Sequence, residues 1–161
     1  MNTQKYRLIT RSDFDGLVCA VLLNEMNLID DIKFVHPKDM QDGKIDVGNR
    51  DITTNLPYVP GAYLAFDHHL SETVRNTGKH SNHIIEAEAP SAARVVYNHY
   101  GAQAAFPRIT NEMMLAVDKA DSAQHANLPE MTVDEVAAGL EAKQLTAVDC
   151  NSEKTRKKVG V

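Results

Sequence analysis

Residues 63–69 read Tyr63-Leu64-Ala65-Phe66-Asp67-His68-His69, a short apolar run that passes directly into three side chains able to bind a metal. A second apolar run, residues 6–10, is followed closely by Asp13 and Asp15. Short apolar runs predict buried strands, and the carboxyl ends of parallel strands open onto one crevice where ligands bind. Carboxylate oxygens and imidazole nitrogens suit a divalent cation. The two stretches together predict a metal site at one edge of a parallel sheet.

The rest of the chain alternates between strands and helices. Apolar runs predict five strands, at residues 6–10, 32–36, 51–55, 63–66 and 83–87. Apolar spacing and capping residues predict helices at residues 17–26, 90–100, 110–120 and 133–144. The polar stretches at 38–50 and 71–82 predict a loop or small hairpin and a loop with a helical turn. This alternation predicts an α/β fold, a doubly wound, mostly parallel five-stranded sheet with helices on both faces.

Composition narrows the class of protein. The 161 residues carry a net charge of -5, which suits one soluble domain and excludes a strong general affinity for nucleic acid. The two cysteines, Cys19 and Cys150, have no metal-binding spacing and form no disulfide framework. No run is long enough to span a membrane, and the first six residues lack the apolar core of a signal peptide. We therefore expect a cytoplasmic protein with no membrane partner.

Each motif also has a purely structural interpretation. In Ser12-Asp13-Phe14-Asp15-Gly16, one aspartate could cap the following helix while the other is solvated. The functional alternative places both carboxylates in the crevice, with Gly16 allowing the backbone to bend between them. Asp67-His68-His69 could be a surface turn, although three polar side chains after a buried strand are costly without partners. Both motifs end strands, and this coincidence favours the functional interpretation.

Four ordered motifs resemble the DHH phosphoesterase superfamily, in particular its exopolyphosphatase-like branch. The first two are Ser12-Asp13-Phe14-Asp15-Gly16 and Asp67-His68-His69, and the later two lie at residues 89–94 and 117–122. The resemblance covers roughly residues 5–125. It implies an N-terminal DHH-type domain that uses two metals, usually Mn²⁺ and alternatively Mg²⁺ or another divalent cation.

The resemblance also implies roles for particular residues. The expected metal ligands are Asp13, Asp15, Asn55, Asp67, His68 and Asp121. Asp67 would either ligate directly or orient its neighbour, and Asp118 is the alternative to Asp121. Asp67, His68 and His69 form the expected catalytic group, with His69 contacting the substrate phosphate. Arg94 would assist phosphate binding, unless it forms a salt bridge on the helix surface.

The chain departs from the family pattern at two ligand positions. Family members often carry a histidine four residues before the first aspartate, where this chain has Ile9. Asn55 occupies the place of an aspartate that typically bridges both metals, and its amide is a weak, neutral ligand. Asp46 or Asp51 could substitute, although both precede the end of the strand. His36 is a further supplementary ligand or a satisfied histidine beside the crevice.

Domain organisation follows from the same resemblance. Residues 1–125 are expected to form the DHH-type metal-binding catalytic domain, and residues 126–161 a C-terminal helix and basic tail. Family members usually carry a second, substrate-binding domain, for which residues 126–161 are too few. An open cleft is therefore expected, to be completed by a partner chain or by a second copy in a homo-oligomer.

Two functions are consistent with the sequence. The first is a metal-dependent phosphoesterase that hydrolyses the phosphodiester or phosphoanhydride bonds of a small substrate, such as polyphosphate, a short oligonucleotide or a nucleotide phosphate. The alternative is a catalytically weak or inactive DHH domain that serves as a metal- or phosphate-binding interaction module. The retained acidic and histidine residues favour the enzyme, whereas Ile9 and Asn55 favour the module.

Overall fold

The computed structural model describes residues 4–75 and 80–122. Its five strands are β1 (Tyr6–Arg11), β2 (Ile29–Val35), β3 (Asp51–Thr54), β4 (Leu64–Asp67) and β5 (His83–Ile85). They form one sheet in the order β2-β1-β3-β4-β5, and every neighbouring pair is parallel. The predicted five-stranded parallel α/β sheet is therefore confirmed.

Five helices connect and cover the strands. They are α1 (Phe14–Glu25), α2 (Pro37–Gln41), α3 (Leu70–Arg75), α4 (Ala92–His99) and α5 (Asn111–Ser122), with a 3₁₀ turn at Ala102–Ala104. All the helices predicted within the described residues are present. Ser91 caps α4, since its side chain accepts the Arg94 N–H, and Gly101 follows α4 with φ 112°, a conformation that favours glycine.

Two predictions were wrong, the start of the second strand and the structure of the stretch after it. Strand β2 begins at Ile29, three residues before the expected start, because it is an edge strand whose middle residues are exposed and so show no apolar run. Helix α2 lies in the stretch expected to be a loop or hairpin. Pro37 opens this helix and the His36 side chain caps it, and proline at the first helical turn is favourable because its ring presets the backbone.

The main core lies between the sheet and three helices. Residues Phe14 to Leu23 of α1 are all buried, and α1 packs against both α4 and α5. Leu8, Ile52 and Phe66 supply the sheet side of this core. Cys19 is buried here and free, as expected of a small apolar residue.

The opposite face of the sheet has a smaller core. Ile9 and Val35 from the strands pack with Met40 of α2 and with Leu56. Leu8 and Ile9 thus face opposite sides, as successive residues of a strand do. Both faces of the sheet are covered. The polar side chains that directly follow the strands therefore lie at its carboxyl edge.

Several expectations fall outside the described residues. The predicted helix at residues 133–144, the basic tail and the division of the chain at residue 125 all involve the stretch 123–161, which lies beyond them. Among the helices that are described, none has the length and apolar character needed to cross a membrane.

Candidate metal centre

Three adjacent strands end beside one another at the carboxyl edge of the sheet. Thr10 of β1 pairs with Thr54 of β3, which pairs in turn with Phe66 of β4. Asp13, Asn55 and Asp67 lie at or just beyond these strand ends and are all buried. The register of the sheet therefore brings Asp13 near Asn55 and Asp67, which lie far from it in the chain.

The tightest cluster of ligand-type atoms joins Asp15, His68 and Asp121. One ligand atom from each lies within 4.8 Å of the others. His68 Nε2 is 2.9 Å from Asp121 Oδ2 and 3.8 Å from Asp15 Oδ2, and all three side chains are almost fully buried. The cluster draws on α1, the turn after β4, and α5, so it forms only when the fold is complete.

The orientation of the His68 ring suits a metal ligand. Its Nδ1 lies 3.1 Å from the Ala89 carbonyl oxygen, and because a carbonyl only accepts, Nδ1 must carry the proton. In the neutral ring Nε2 then presents its lone pair to the cluster. This nitrogen is buried and lies 2.9 Å from Asp121 Oδ2. A buried imidazole nitrogen that faces carboxylates is placed to share a cation with them.

Asp15 is held by the start of α4. Its Oδ2 accepts the Ala92 N–H at 2.9 Å and its Oδ1 accepts the Ala93 N–H at 2.8 Å. A carboxylate at a helix N-terminus is stabilised by the exposed N–H groups and by the helix dipole. These bonds fix the direction in which Asp15 faces the cluster.

The negative charges of the cluster repel one another. Burial and the nearby charges of Asp121 and Asp13 raise the pKa of Asp15 to about 7, against the lowering effect of its backbone bonds. Burial lowers the pKa of His68, but the hydrogen bond to Asp121 and the charges of Asp121, Asp15 and Asp67 outweigh it and raise that pKa to about 9. A divalent cation would neutralise this repulsion. The residues present therefore fit a metal ion.

Asp67 organises the turn that carries the two histidines. Its Oδ1 accepts the His68 N–H at 2.8 Å and the His69 Nδ1–H at 2.6 Å. The hydrogen bond to Asp67 raises the pKa of His69, against the effect of burial. Asp67 Oδ2 is buried without a partner. Asp67, His68 and His69 also bring ligand atoms within 4.8 Å of one another, so a second ion has candidate ligands here.

Asp13 is engaged by three donors. Its Oδ1 accepts the Gly16 N–H at 2.8 Å, which caps α1. Arg11 Nε lies 3.0 Å from its Oδ2, and the Asn55 amide lies 3.2 Å from both oxygens. Asp13 thus caps the helix, as the structural interpretation expected, whereas Asp15 is buried and not solvated.

Gly16 is required for a different reason from the one expected. Its φ is not in the left-handed region that favours glycine, so it does not provide a special bend. Instead, a Cβ at this position would lie 2.0 Å from the Arg11 carbonyl oxygen. Only glycine lets α1 begin this close to the end of β1.

Asn55 adopts a strained backbone where β3 ends. Its φ is 56°, in the left-handed region that asparagine tolerates better than most residues. Its amide nitrogen donates to Asp13, and its Oδ1 is buried without a partner. The oxygen is therefore the atom available to a cation, and the predicted ligand role of Asn55 stays a prediction.

The structure separates the two aspartates of the last motif. Asp121 faces His68, whereas Asp118 accepts two bonds from Arg94 and one from Ser91 Oγ at 2.8 Å. Arg94 is therefore held in a salt bridge on the surface of α4. Its predicted contact with phosphate is not seen in this arrangement and stays a prediction.

The other positions considered as ligands do not contribute to the cluster. Ile9, where family members often have a histidine, is fully buried in the smaller core. Asp51 sits at the start of β3, away from the site, and pairs with Arg7 at 2.8 Å. The carbonyl of Asp46 accepts from the same Arg7. His36 uses Nδ1 to accept the Lys38 N–H at 3.1 Å, so it is a satisfied capping residue.

Sequence reasoning missed Arg11 as a member of the site. Its guanidinium lies against Asp13, and it lines a cleft beside His69 and Asp67. The available signal was its position, because Arg11 ends the first strand two residues before Asp13. A cation at that strand end faces the same crevice as the carboxylates.

Among solved structures, the chain is similar to the pGpG-specific phosphodiesterase PggH from Vibrio cholerae, with 43% sequence identity and a TM-score of 0.68. The match covers 97% of this chain and 59% of that protein, so the chain spans less than two thirds of its relative. No protein-family model matches the chain, and no curated protein matches it significantly.

Proposed function

The chain belongs to the DHH phosphoesterase superfamily, and from this premise we propose that it is a metal-dependent phosphodiesterase acting on a small nucleotide substrate. The observation that carries the proposal is the cluster of Asp15, His68 and Asp121, whose ligand atoms converge within 4.8 Å. The buried Nε2 of His68, 2.9 Å from Asp121 Oδ2, lies among them. The similarity to a phosphodiesterase supports the reaction class.

Asp15, His68 and Asp121 would hold the metal ion. Carboxylate oxygens with one imidazole suit Mn²⁺, with Mg²⁺ or another divalent cation as the alternative. When bound, the ion supplies Lewis acidity that offsets charge developing on the phosphoryl oxygens. The Ala92 and Ala93 N–H groups orient Asp15, and the Ala89 carbonyl orients His68.

His69 is the residue that contacts the substrate phosphate. Asp67 fixes its ring through Nδ1 and, as the nearest carboxylate, keeps its pKa raised. The raised pKa favours the form of His69 in which Nε2 also carries a proton, and Asp67 holds the opposite side of the ring. A protonated imidazole beside a phosphodiester can neutralise an oxygen or give a proton to the leaving group.

A dinucleotide is the proposed substrate class. The similar protein from Vibrio cholerae is specific for pGpG, a small molecule with one internal phosphodiester bond. Polyphosphate would need several cations along its length. Among the described residues, the cleft beside the site is lined by two cationic side chains, Arg11 and His69, and by the carboxylates of Asp67 and Glu72. This balance of charge favours the dinucleotide.

The test is a substrate panel assayed with Mn²⁺ and with chelator. We expect pGpG to be hydrolysed faster than polyphosphate or a chromogenic phosphodiester, and chelation to abolish the activity. Asp42→Asn, an exposed carboxylate outside the site, serves as the control and should match the parent chain. Failure to hydrolyse any substrate above the chelated sample, while Mn²⁺ still binds, would overturn the proposal.

That outcome would establish the second candidate, a metal- or phosphate-binding module without turnover. The observation in its favour is the state of Asp13, whose oxygens are occupied by Gly16, Arg11 and Asn55. Asp15 accepts two neutral backbone N–H groups, whereas Asp13 is paired with the Arg11 cation, and this positive charge disfavours a second metal ion beside it. If catalysis needs two metals, one weak position would slow it.

A further inference from the structure

A cleft opens beside the metal cluster, between α2 and the start of α3. It has a volume of about 160 Å³. Four of its lining residues, Arg11, Asn55, Asp67 and His69, belong to the site already described. The other lining residues are Pro37, Gln41, Leu56, Pro57, Ser71 and Glu72. A group in this cleft therefore lies beside a phosphate at His69.

The size of the cleft limits its occupant. One water needs about 10–15 Å³ on this scale, so the cleft takes a group on the order of ten non-hydrogen atoms. That is the size of a nucleobase. A single phosphoryl group would leave most of the space unfilled, and packing gaps forfeit dispersion energy.

The chemistry of the remaining lining residues also indicates a nucleobase. Pro37, Leu56 and Pro57 give apolar surfaces against which a planar ring can lie. Gln41 offers both a donor and two acceptor sites on its amide. Glu72 is buried, and its carboxylate accepts the Tyr58 N–H at 3.0 Å. The apolar surfaces and the amide of Gln41 together suit a planar ring that presents N–H groups.

We propose that this cleft is the nucleobase subsite of the substrate, with Gln41 as a specificity-determining residue. The inference rests on the proposed phosphodiesterase function, because it takes the phosphate attached to that base to lie at His69. It goes further in assigning recognition to α2 and α3, outside the metal cluster. Apolar pockets with a few convergent polar groups are the usual form of small-molecule sites.

The experiment compares the binding of GMP with that of ribose 5-phosphate, which carries the same phosphate without a base. Dissociation constants are measured by calorimetry in Mn²⁺ buffer, and the ratio of the two constants reports the base alone. We expect the parent chain to bind GMP about tenfold or more tightly. Gln41→Ala should reduce this preference by about three- to tenfold, the loss of one or two hydrogen bonds.

A second variant tests the space in the cleft and keeps the proposal independent of one side chain. Ser71 is exposed, so Ser71→Trp should fold, fill the cleft and remove the preference for GMP. Asp42→Asn, at the end of α2 but outside the cleft, should retain the full preference. Equal binding of GMP and ribose 5-phosphate by the parent chain would overturn the subsite. So would an unchanged preference in both Gln41→Ala and Ser71→Trp.

Hydrolysis of pGpG is measured on the same preparations. Loss of the GMP preference in the parent chain with pGpG still hydrolysed would count against the subsite alone. A clear GMP preference without any hydrolysis would count against the phosphodiesterase and keep the subsite. The two proposals therefore fail in different ways.

Discussion

At the scale of single residues, the two neighbouring histidines have different environments and hence different expected roles. His68 is tied through Nδ1 to the Ala89 carbonyl, and its Nε2 is buried among carboxylates. His69 is tied through Nδ1 to Asp67 and is about one third exposed. The first ring suits a cation, and the second suits a substrate that enters from solvent.

Alanine substitutions should separate these roles. His68→Ala removes a metal ligand, and we expect Mn²⁺ affinity to fall at least about 100-fold, with loss of turnover. His69→Ala should leave Mn²⁺ affinity within a few-fold and lower kcat/KM about 10²–10⁴-fold. Calorimetric titration and initial rates give both quantities. A large loss of Mn²⁺ affinity in His69→Ala would show that His69 is itself a ligand.

Asp51 gives a prediction about stability that is independent of the metal. Burial raises its pKa, but Arg7 and the Gly48 N–H outweigh that and hold it below the usual value. A depressed carboxyl pKa stabilises the fold above the ordinary aspartate range and loses this effect as pH falls through the folded value. Asp51→Asn should therefore cost about 1–3 kcal/mol at pH 7 and much less in acid.

Chemical denaturation at several pH values measures this difference. Asp42→Asn is the matched control, because its partner Lys38 is exposed and a surface pair of this kind contributes about 0–1 kcal/mol. A cost of Asp51→Asn that stays constant from neutral to acidic pH would contradict the assignment.

The sequence predicted which residue types gather at the metal cluster, but not every contact between them. The predicted ends of the strands placed Asp13 and Asp67 correctly at the carboxyl edge, because the register of a parallel sheet follows from its apolar runs. The choice between Asp118 and Asp121 could not be made in advance. Both lie on α5, and only the packing of that helix decides which one faces His68.

At the scale of elements, the N-terminus of α4 is the feature that supports the cluster. Its first N–H groups bind Asp15, while Ser91 caps the helix and donates to Asp118. The position of Asp15 thus depends on the geometry of a helix that is about eighty residues away in the chain.

Removing this cap should affect both stability and metal binding. Ser91→Ala is expected to cost about 0.5–2 kcal/mol of stability. It should also weaken Mn²⁺ binding several-fold, since α4 would no longer hold Asp15 in one position. Thr110→Ala is the matched control, because Thr110 accepts the Met113 N–H at the start of α5 without contacting Asp15. It should cost similar stability and leave Mn²⁺ affinity unchanged.

Equal effects of the two substitutions on Mn²⁺ affinity would contradict this role for α4.

The helices differ in how well the sequence predicted them. Helix α4 was predictable from Pro90, Ser91 and Gly101, which mark its ends. Helix α2 was not, because five residues with one buried side chain, Met40, give no periodic pattern.

At the scale of the whole molecule, the fold brings together charges that repel one another. Asp13, Asp15 and Asp121 come from both ends of the described chain and are all buried. Burial and the repulsion from Asp121 and Asp13 raise the pKa of Asp15. Because natural domains are stable by only about 5–15 kcal/mol, the folded state should gain measurably from a cation.

Metal binding should therefore raise the thermal stability. A ligand at about 100 times its Kd stabilises the native state by about 2.7 kcal/mol, which corresponds to several degrees in Tm for a chain of this size. Scanning calorimetry with Mn²⁺ and with chelator measures the shift. His68→Ala should lose most of it, whereas a shift of equal size in that variant would place the stabilising ion elsewhere.

The most direct test of the account is the position of the metal in crystals grown with Mn²⁺. Anomalous scattering should show one strong peak in contact with Asp15 Oδ2, His68 Nε2 and Asp121 Oδ2. A second peak near Asp67 and Asn55 should be weaker or absent, because Asp13 is held by other donors. No peak at the first position, or two peaks of equal strength, would contradict the site as described.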